Sequence, residues 1–299
     1  MARSGARAGV VGVTPVATAP GRRLFPAVRR LTAGPRLGSR SVSASDVAAR
    51  VLRHTRRHGA LPVAASCASW GARWAAGRLR TGRPWTASVT HEGTAHRLLR
   101  HPYNWTWLNE RAVEVPLAAA ALDAALAAAA SSRPGTAPRV LEVGNVLSHY
   151  RAVTHDVVDR YERAPGVRNV DVVDLGPGPD GGYDLVLSVS TLEHVGLDEE
   201  PREPGKAARA VRTLTGLLAP GGRFWATVPV GYNPDLEAAI RGGELPLTRV
   251  TALLRTGPGV RWRQVPVADT EGVDYDWLLY TARAVLVIEA IADPEPARH

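Results

Sequence analysis

From Arg139 onward the chain repeats one pattern: a short apolar run without strict alternation, ended by an acid or a small polar residue. The runs are RVLEVG (139–144), HDVVDRYE (155–162), VRNVDVVDL (167–175), YDLVLSVS (183–190), RFWATVPV (223–230), RWRQVPV (261–267) and ARAVLVIEA (282–290). A strand that is apolar on both faces must be covered on both faces, which is the condition of a parallel sheet flanked by helices. The intervening segments carry helix signals. Ala207, Ala210, Val211, Leu214, Leu217 and Leu218 recur at helical spacing, the PGG of 220–222 turns the chain, and Asn233-Pro234-Asp235 reads as an N-cap with proline at the first helical position. The fold class expected is α/β: a doubly wound, Rossmann-like sheet of seven mostly parallel strands.

Ahead of this region the spacing predicts a basic tail (1–45), a helical region (46–133) and a Pro/Gly/Ser linker, with the α/β domain occupying 139–299. The first 100 residues hold 18 of the 37 basic groups and only two acids, Asp46 and Glu92, so the basic character belongs to the N-terminal third. A tail this poor in apolar groups is expected to be disordered. Charge alone would allow it to meet nucleic acid, but no aromatic interleaving accompanies it, so nucleic acid is not the expected partner. Ser45 is a plausible N-cap of a first helix, and a longer helix is expected from about Trp107 to Ala130. In HPYNWTWLNERAVEVP the indoles of Trp105 and Trp107 read as packing groups, with Tyr103, Asn104 and Asn109 as candidate pocket lining. VPLAAAALDAALAAAASS is alanine-rich and contains Asp123, which reads as a helix of high propensity and not as a membrane span. One cysteine, Cys67, allows no internal disulfide and fits a reducing, cytoplasmic setting.

In an open parallel sheet, ligands bind beyond the carboxyl ends of the strands, where the strand order reverses. That rule selects residues 144–148, 159–162, 174–175 and 190–194 as one rim. The ordered set VLEVG, an acid ending strand two, VDVVD, YDLVLSVSTLEHVG and LLAPGGRFWATVP resembles the class I methyltransferases dependent on S-adenosyl-L-methionine (SAM) over about residues 139–230. EVGNVLSHY, HDVVDRYE and NERAVEVP further resemble a bacterial methyltransferase subgroup linked to polysaccharide or specialised-metabolite pathways.

The resemblance implies that Glu142, Gly144 and Asn145 meet the methionine part of SAM, that Asp159 (or Glu162) accepts from the ribose hydroxyls, and that Asp174 and Leu175 meet the adenine, with Ser190 on the same rim. Ionised carboxylates suit hydroxyl and amino donors because they only accept hydrogen bonds. Where the family usually has a second glycine this chain has Val146. His194, just beyond strand four, is the expected catalytic residue, taking a proton from an acceptor hydroxyl. The acceptor expected is a small molecule or glycan, methylated most often through oxygen. No metal is expected, since His149, His155 and Asp156 match no ligand spacing. The rivals are a binding or scaffold protein whose first loop excludes the cofactor, a nicotinamide dehydrogenase, which requires a G-x-G-x-x-G fingerprint that is missing, and an RNA methyltransferase using the basic tail.

Overall fold

In the computed structural model, residues 44–83, 85–257 and 260–294 are described, so the basic tail lies outside them except for its last two residues. Those two, Ala44 and Ser45, already belong to helix α1 (Ala44–His58), which puts Ser45 inside the helix and not at its cap. Helix α2 (Ala60–Leu79) follows after Gly59. The two helices meet the loop around Trp105 through edge-on indole contacts, Trp70 to Trp105 at 5.7 Å and Trp74 to Trp105 at 6.4 Å. Trp107 lies against Gly77, where a Cβ would come 2.0 Å from the indole nitrogen, so only glycine lets helix and ring approach this closely.

A hairpin absent from the expected helical region comes next: β1 (Ser88–His91) pairs antiparallel with β2 (Thr94–Arg97) across Glu92-Gly93. Both turn residues have positive φ, 48° and 75°, as a two-residue hairpin turn with right-handed twist requires. Helix α3 (Arg111–Ser132) then runs under the sheet. It is long and apolar enough to cross a membrane by length and composition, but half of that stretch is buried inside the protein. Val113, Val115, Leu117, Ala118 and Leu122 pack against β-strand residues Val140, Leu185, Leu187 and Val189.

The main sheet has eight strands in the order β5-β4-β3-β6-β7-β10-β8-β9. They are β3 (Val140–Val143), β4 (Asp156–Val158), β5 (Val167–Arg168), β6 (Tyr183–Val189), β7 (Leu218–Pro229), β8 (Arg249–Arg255), β9 (Trp262–Val265) and β10 (Ala284–Ile291). The first five in that order are parallel, and β10 inserts antiparallel between β7 and β8. Strand β8 (RVTALLR) is the eighth, beyond the seven read from the sequence.

Alternate residues divide between two cores. Val140, Leu185, Leu187, Trp225, Val285 and Val287 face α3, and Leu141, Val143, Val186, Phe224, Ala226 and Leu286 face the other side, where α4 (Lys206–Gly216) and α5 (Pro234–Arg241) pack. The period-2 pattern is therefore real, but both phases are apolar. Asn233 caps α5 as its sequence implies, its side chain accepting from Leu236 N with Pro234 at the first turn. The crossover from β3 to β4 contains only a 3-10 turn at Leu147–His149, and no helix covers the β4-to-β5 connection.

Candidate functional site

The strand order turns back between β3 and β6, so their carboxyl ends flank the crevice where such a sheet takes ligands. Gly144 leaves β3 at φ 84°. A Cβ there would sit 2.1 Å from Thr191 Oγ1, so Thr191, from the turn after β6, rests directly on the glycine. The glycine is required twice over, by its left-handed backbone and by its neighbour.

Glu142 is 0% exposed. Its Oε1 accepts from Val146 N at 2.9 Å and Leu147 N at 2.7 Å, and its Oε2 lies 2.8 Å from His155 Nε2. Both oxygens are thus engaged in holding the loop that follows β3. Asn145 is also turned inward: its Nδ2 donates to Glu162 Oε1 at 2.9 Å and its Oδ1 accepts from Ser148 Oγ at 2.5 Å. Glu162 additionally faces His149 Nε2 at 3.1 Å, so it joins the first and second strand-end loops. Val146 is not a plug pointing out of this loop; it packs as a partly buried member of the core on the α3 side.

Asp159 turns its own loop, Oδ1 accepting from Tyr161 N at 2.8 Å and Glu162 N at 2.7 Å. Asp174 ends a 3-10 turn and is exposed, with Leu175 half-buried beside it. These two acids stand at the ends of neighbouring connections on the rim, while Glu142 is withdrawn beneath it.

At the end of β6 the backbone of Ser190 has φ 39°, a conformation unfavourable for a residue with a Cβ. It is held there from three directions. Arg111, at the start of α3, donates to Val189 O at 2.7 Å and Ser190 O at 3.2 Å; Ser190 Oγ donates to Glu114 Oε1; and Ser190 N donates to Thr227 O at 3.1 Å. Strain held this firmly at a strand end is typical of a functional rim. The Ser190 hydroxyl itself is turned to Glu114 and not to the crevice. Burial pushes the Glu114 carboxyl up to about 7 despite Arg111 beside it.

His194 follows in the next turn with its side chain 37% exposed. Its Nδ1 lies 2.5 Å from Asp198 Oδ2, and Tyr232 donates its hydroxyl to the same oxygen at 2.7 Å. Tyr232 also meets Tyr280 hydroxyl to hydroxyl at 2.6 Å. Burial opposes charge on His194, but the hydrogen bond to Asp198 and the negative charges of Glu193 and Asp198 outweigh it and raise the imidazole above its ordinary value. Tyr232, in VPVGYNP, is legible from the sequence as a residue bordering the acceptor pocket, whereas nothing local marks Arg111 or Glu114 as members of this site. Asp198 stands four residues after His194, a separation that could have suggested a paired carboxylate.

The N-terminal segment closes over the same rim. The ring of Tyr103 stacks on His149 at 4.1 Å, and Asn109 Nδ2 donates to Asn104 O at 2.8 Å, fixing a backbone in which Asn104 and Trp105 both have positive φ. Among the described residues no group of three or more His, Cys, Asp or Glu side chains could hold a metal ion.

No family model and no curated protein matches the chain. Solved structures do resemble it. One is a SAM-dependent methyltransferase, a possible histamine N-methyltransferase, from Thermotoga maritima, at 16% identity and TM-score 0.32, covering 56% of this chain and 87% of that one. Another is the N-methyltransferase NodS from Bradyrhizobium japonicum, at 15% identity and TM-score 0.31, covering 58% of this chain and 94% of that one. A third is the [4+2]-cyclase SpnF, at 15% identity and TM-score 0.36, covering 67% of this chain and 87% of that one.

Proposed function

We propose that the chain is a SAM-dependent methyltransferase acting on a small-molecule or glycan-like acceptor through oxygen, in the cytoplasm. The observation that carries this reading is the β3–β6 crevice itself: a left-handed Gly144 on one side, a strained Ser190 on the other, and the strand-end acids Asp159 and Asp174 along the rim. The ribose and adenine half of SAM fits the donor set. Asp159 uses Oδ1 for its own loop and has a second oxygen for a hydroxyl donor, and the exposed Asp174 suits an amino donor. The methionine half would be met by the backbone of Gly144 and Asn145, whose path Glu142 holds in place from below.

When bound, SAM supplies a methyl group on a positively charged sulfur, which an acceptor displaces in line. The protein's part is positioning, since alignment of two reactants removes much of such a barrier. Asp198 fixes the His194 ring through Nδ1, which leaves Nε2 to receive a proton from the acceptor hydroxyl. Because the imidazole is held above its ordinary value, it becomes a competent base only as pH rises through that raised value. The Tyr103–Asn109 segment and the α1–α2 pair cover the rim and select the acceptor.

Titration calorimetry with SAM and with its product S-adenosyl-L-homocysteine (SAH) tests the reading. Binding should be measurable for both, and Asp159→Asn should weaken it by roughly 10-fold or more, the loss of a charge-assisted pair of hydrogen bonds. A second reading, a binding protein without catalysis, is favoured by the inward Glu142 and by Thr191 seated on Gly144. Absence of heat with either ligand would select it.

A further inference from the structure

Three buried glutamates stand around the end of β6, and they are not equally provided for. Glu110 Oε2 accepts from Thr281 Oγ1 and Ala282 N, both at 2.9 Å. Glu114 accepts from Ser190 Oγ and faces Arg111 at 3.3 Å. Glu193 is 2% exposed; its Oε2 has no hydrogen-bond partner, while its Oε1 lies 3.6 Å from His194 Nε2. Arg111, the guanidinium that acts on Glu193, is taken up by Glu114 and by the carbonyls of Val189 and Ser190, and Arg50 stands over the Tyr280 ring at 5.1 Å. A buried carboxylate oxygen without a donor is costly, so the open Oε2 calls for a donor that arrives with a ligand.

The surroundings specify the donor's charge. The Tyr232 ring packs edge-on against His194 at 4.8 Å, and Tyr275 and Tyr280 pack on Tyr232 at 5.0 and 6.0 Å. Trp277, the exposed member of this group at 42%, lies 4.9 Å from Tyr232. Aromatic faces beside a carboxylate with one oxygen still open favour an ammonium over a neutral hydroxyl, since both the ring quadrupole and the carboxylate attract positive charge. Burial also pushes the Glu193 carboxyl up to about 7, and an adjacent cation would restore its ionised form.

We infer that Glu193 recognises a primary amine on the acceptor, the ammonium seated between its carboxylate and the tyrosine rings, beside the His194 that meets the reacting hydroxyl. The acceptor class is thereby narrowed to amine-bearing hydroxylated molecules, an amino sugar or a phenolic amine. The assignment rests on reading the rim as a methyl-transfer site. Trp277 and its loop form the side that must yield when such a molecule enters.

The test is calorimetric titration of the full chain, with and without saturating SAH, using tyramine and its alcohol counterpart 4-(2-hydroxyethyl)phenol. Tyramine should bind at least about 10-fold more tightly than the alcohol, and Glu193→Gln should bring the two within about two-fold of one another while SAH affinity stays the same. Equal binding of the two probes by the wild-type chain, binding of neither at 10 mM (about the weakest affinity calorimetry can register), or a preference that survives Glu193→Gln would overturn the inference. Should Glu193→Gln fold poorly, Glu193→Asp and the wild-type comparison carry the test. A wild-type chain that prefers the amine but gives no heat with SAH would retain the amine site and remove the methyltransferase reading, so the two failures are distinct.

Discussion

Replacing Gly144 by alanine isolates the close approach on which the crevice is built. Two costs combine. An L-residue at φ 84° costs roughly 1–2 kcal/mol relative to glycine, and the new Cβ would lie 2.1 Å from Thr191 Oγ1 and 2.9 Å from its Cγ2. Relieving such an overlap in packed surroundings costs about 1–3 kcal/mol, so Gly144→Ala should lose roughly 2–5 kcal/mol in urea unfolding. Thr191→Ala removes the two atoms named and leaves the backbone term untouched. A double-mutant cycle should therefore show a favourable coupling of about 1–3 kcal/mol between Gly144→Ala and Thr191→Ala, because the closest overlap, 2.1 Å to Oγ1, vanishes with the threonine and only the 2.9 Å approach to its Cβ is left. Additive costs, or a Gly144→Ala loss below about 1 kcal/mol, would show that Thr191 does not rest on the glycine and would undo the account of the crevice.

Glu142→Ala strips Val146 N, Leu147 N and His155 of their common acceptor and should cost about 3–5 kcal/mol by denaturant unfolding, with the β3 loop amides exchanging hydrogen faster. Glu193, held near 7 by burial, keeps its proton in the folded chain while the unfolded chain loses it above about 4.5, so this residue lowers stability progressively from pH 4.5 to 7. Glu193→Gln should flatten that fall and leave the variant the more stable one by roughly 2–3 kcal/mol at pH 8; a parallel profile for both proteins would contradict the assignment. His194 has the opposite charge but the same sign of linkage: its raised value adds stability that is present below about 6.5 and is lost as pH climbs through the folded value, an effect that Asp198→Asn should remove in an NMR titration of the ring. Lys206, 5% exposed, bridges Asp171 and Glu199 at 2.6 Å each; Lys206→Met should cost about 3–5 kcal/mol, measured by thermal unfolding.

The sequence alone determined most of the sheet. Both-faced apolar runs leave no arrangement except strands covered on two sides, and Asn233-Pro234 fixes a helix start because cap and first-turn geometry are local. The hairpin at Ser88–Arg97 was also legible in principle, since Glu92-Gly93 between β-branched and small residues is a local turn signal. Strand β8 was not, although it pairs locally with β9 as well as with β10, because its apolar run is short and bounded by Arg249 and Arg255. The direction in which each rim acid points was decided by tertiary structure. Glu142, Asp159 and Asp174 look alike in sequence as acids at or near strand ends, but one is drawn under the loop by two backbone amides and a histidine, one divides between its own turn and the rim, and one stands free in solvent. A carboxylate goes where donors are, and those donors come from residues whose positions only the folded chain sets.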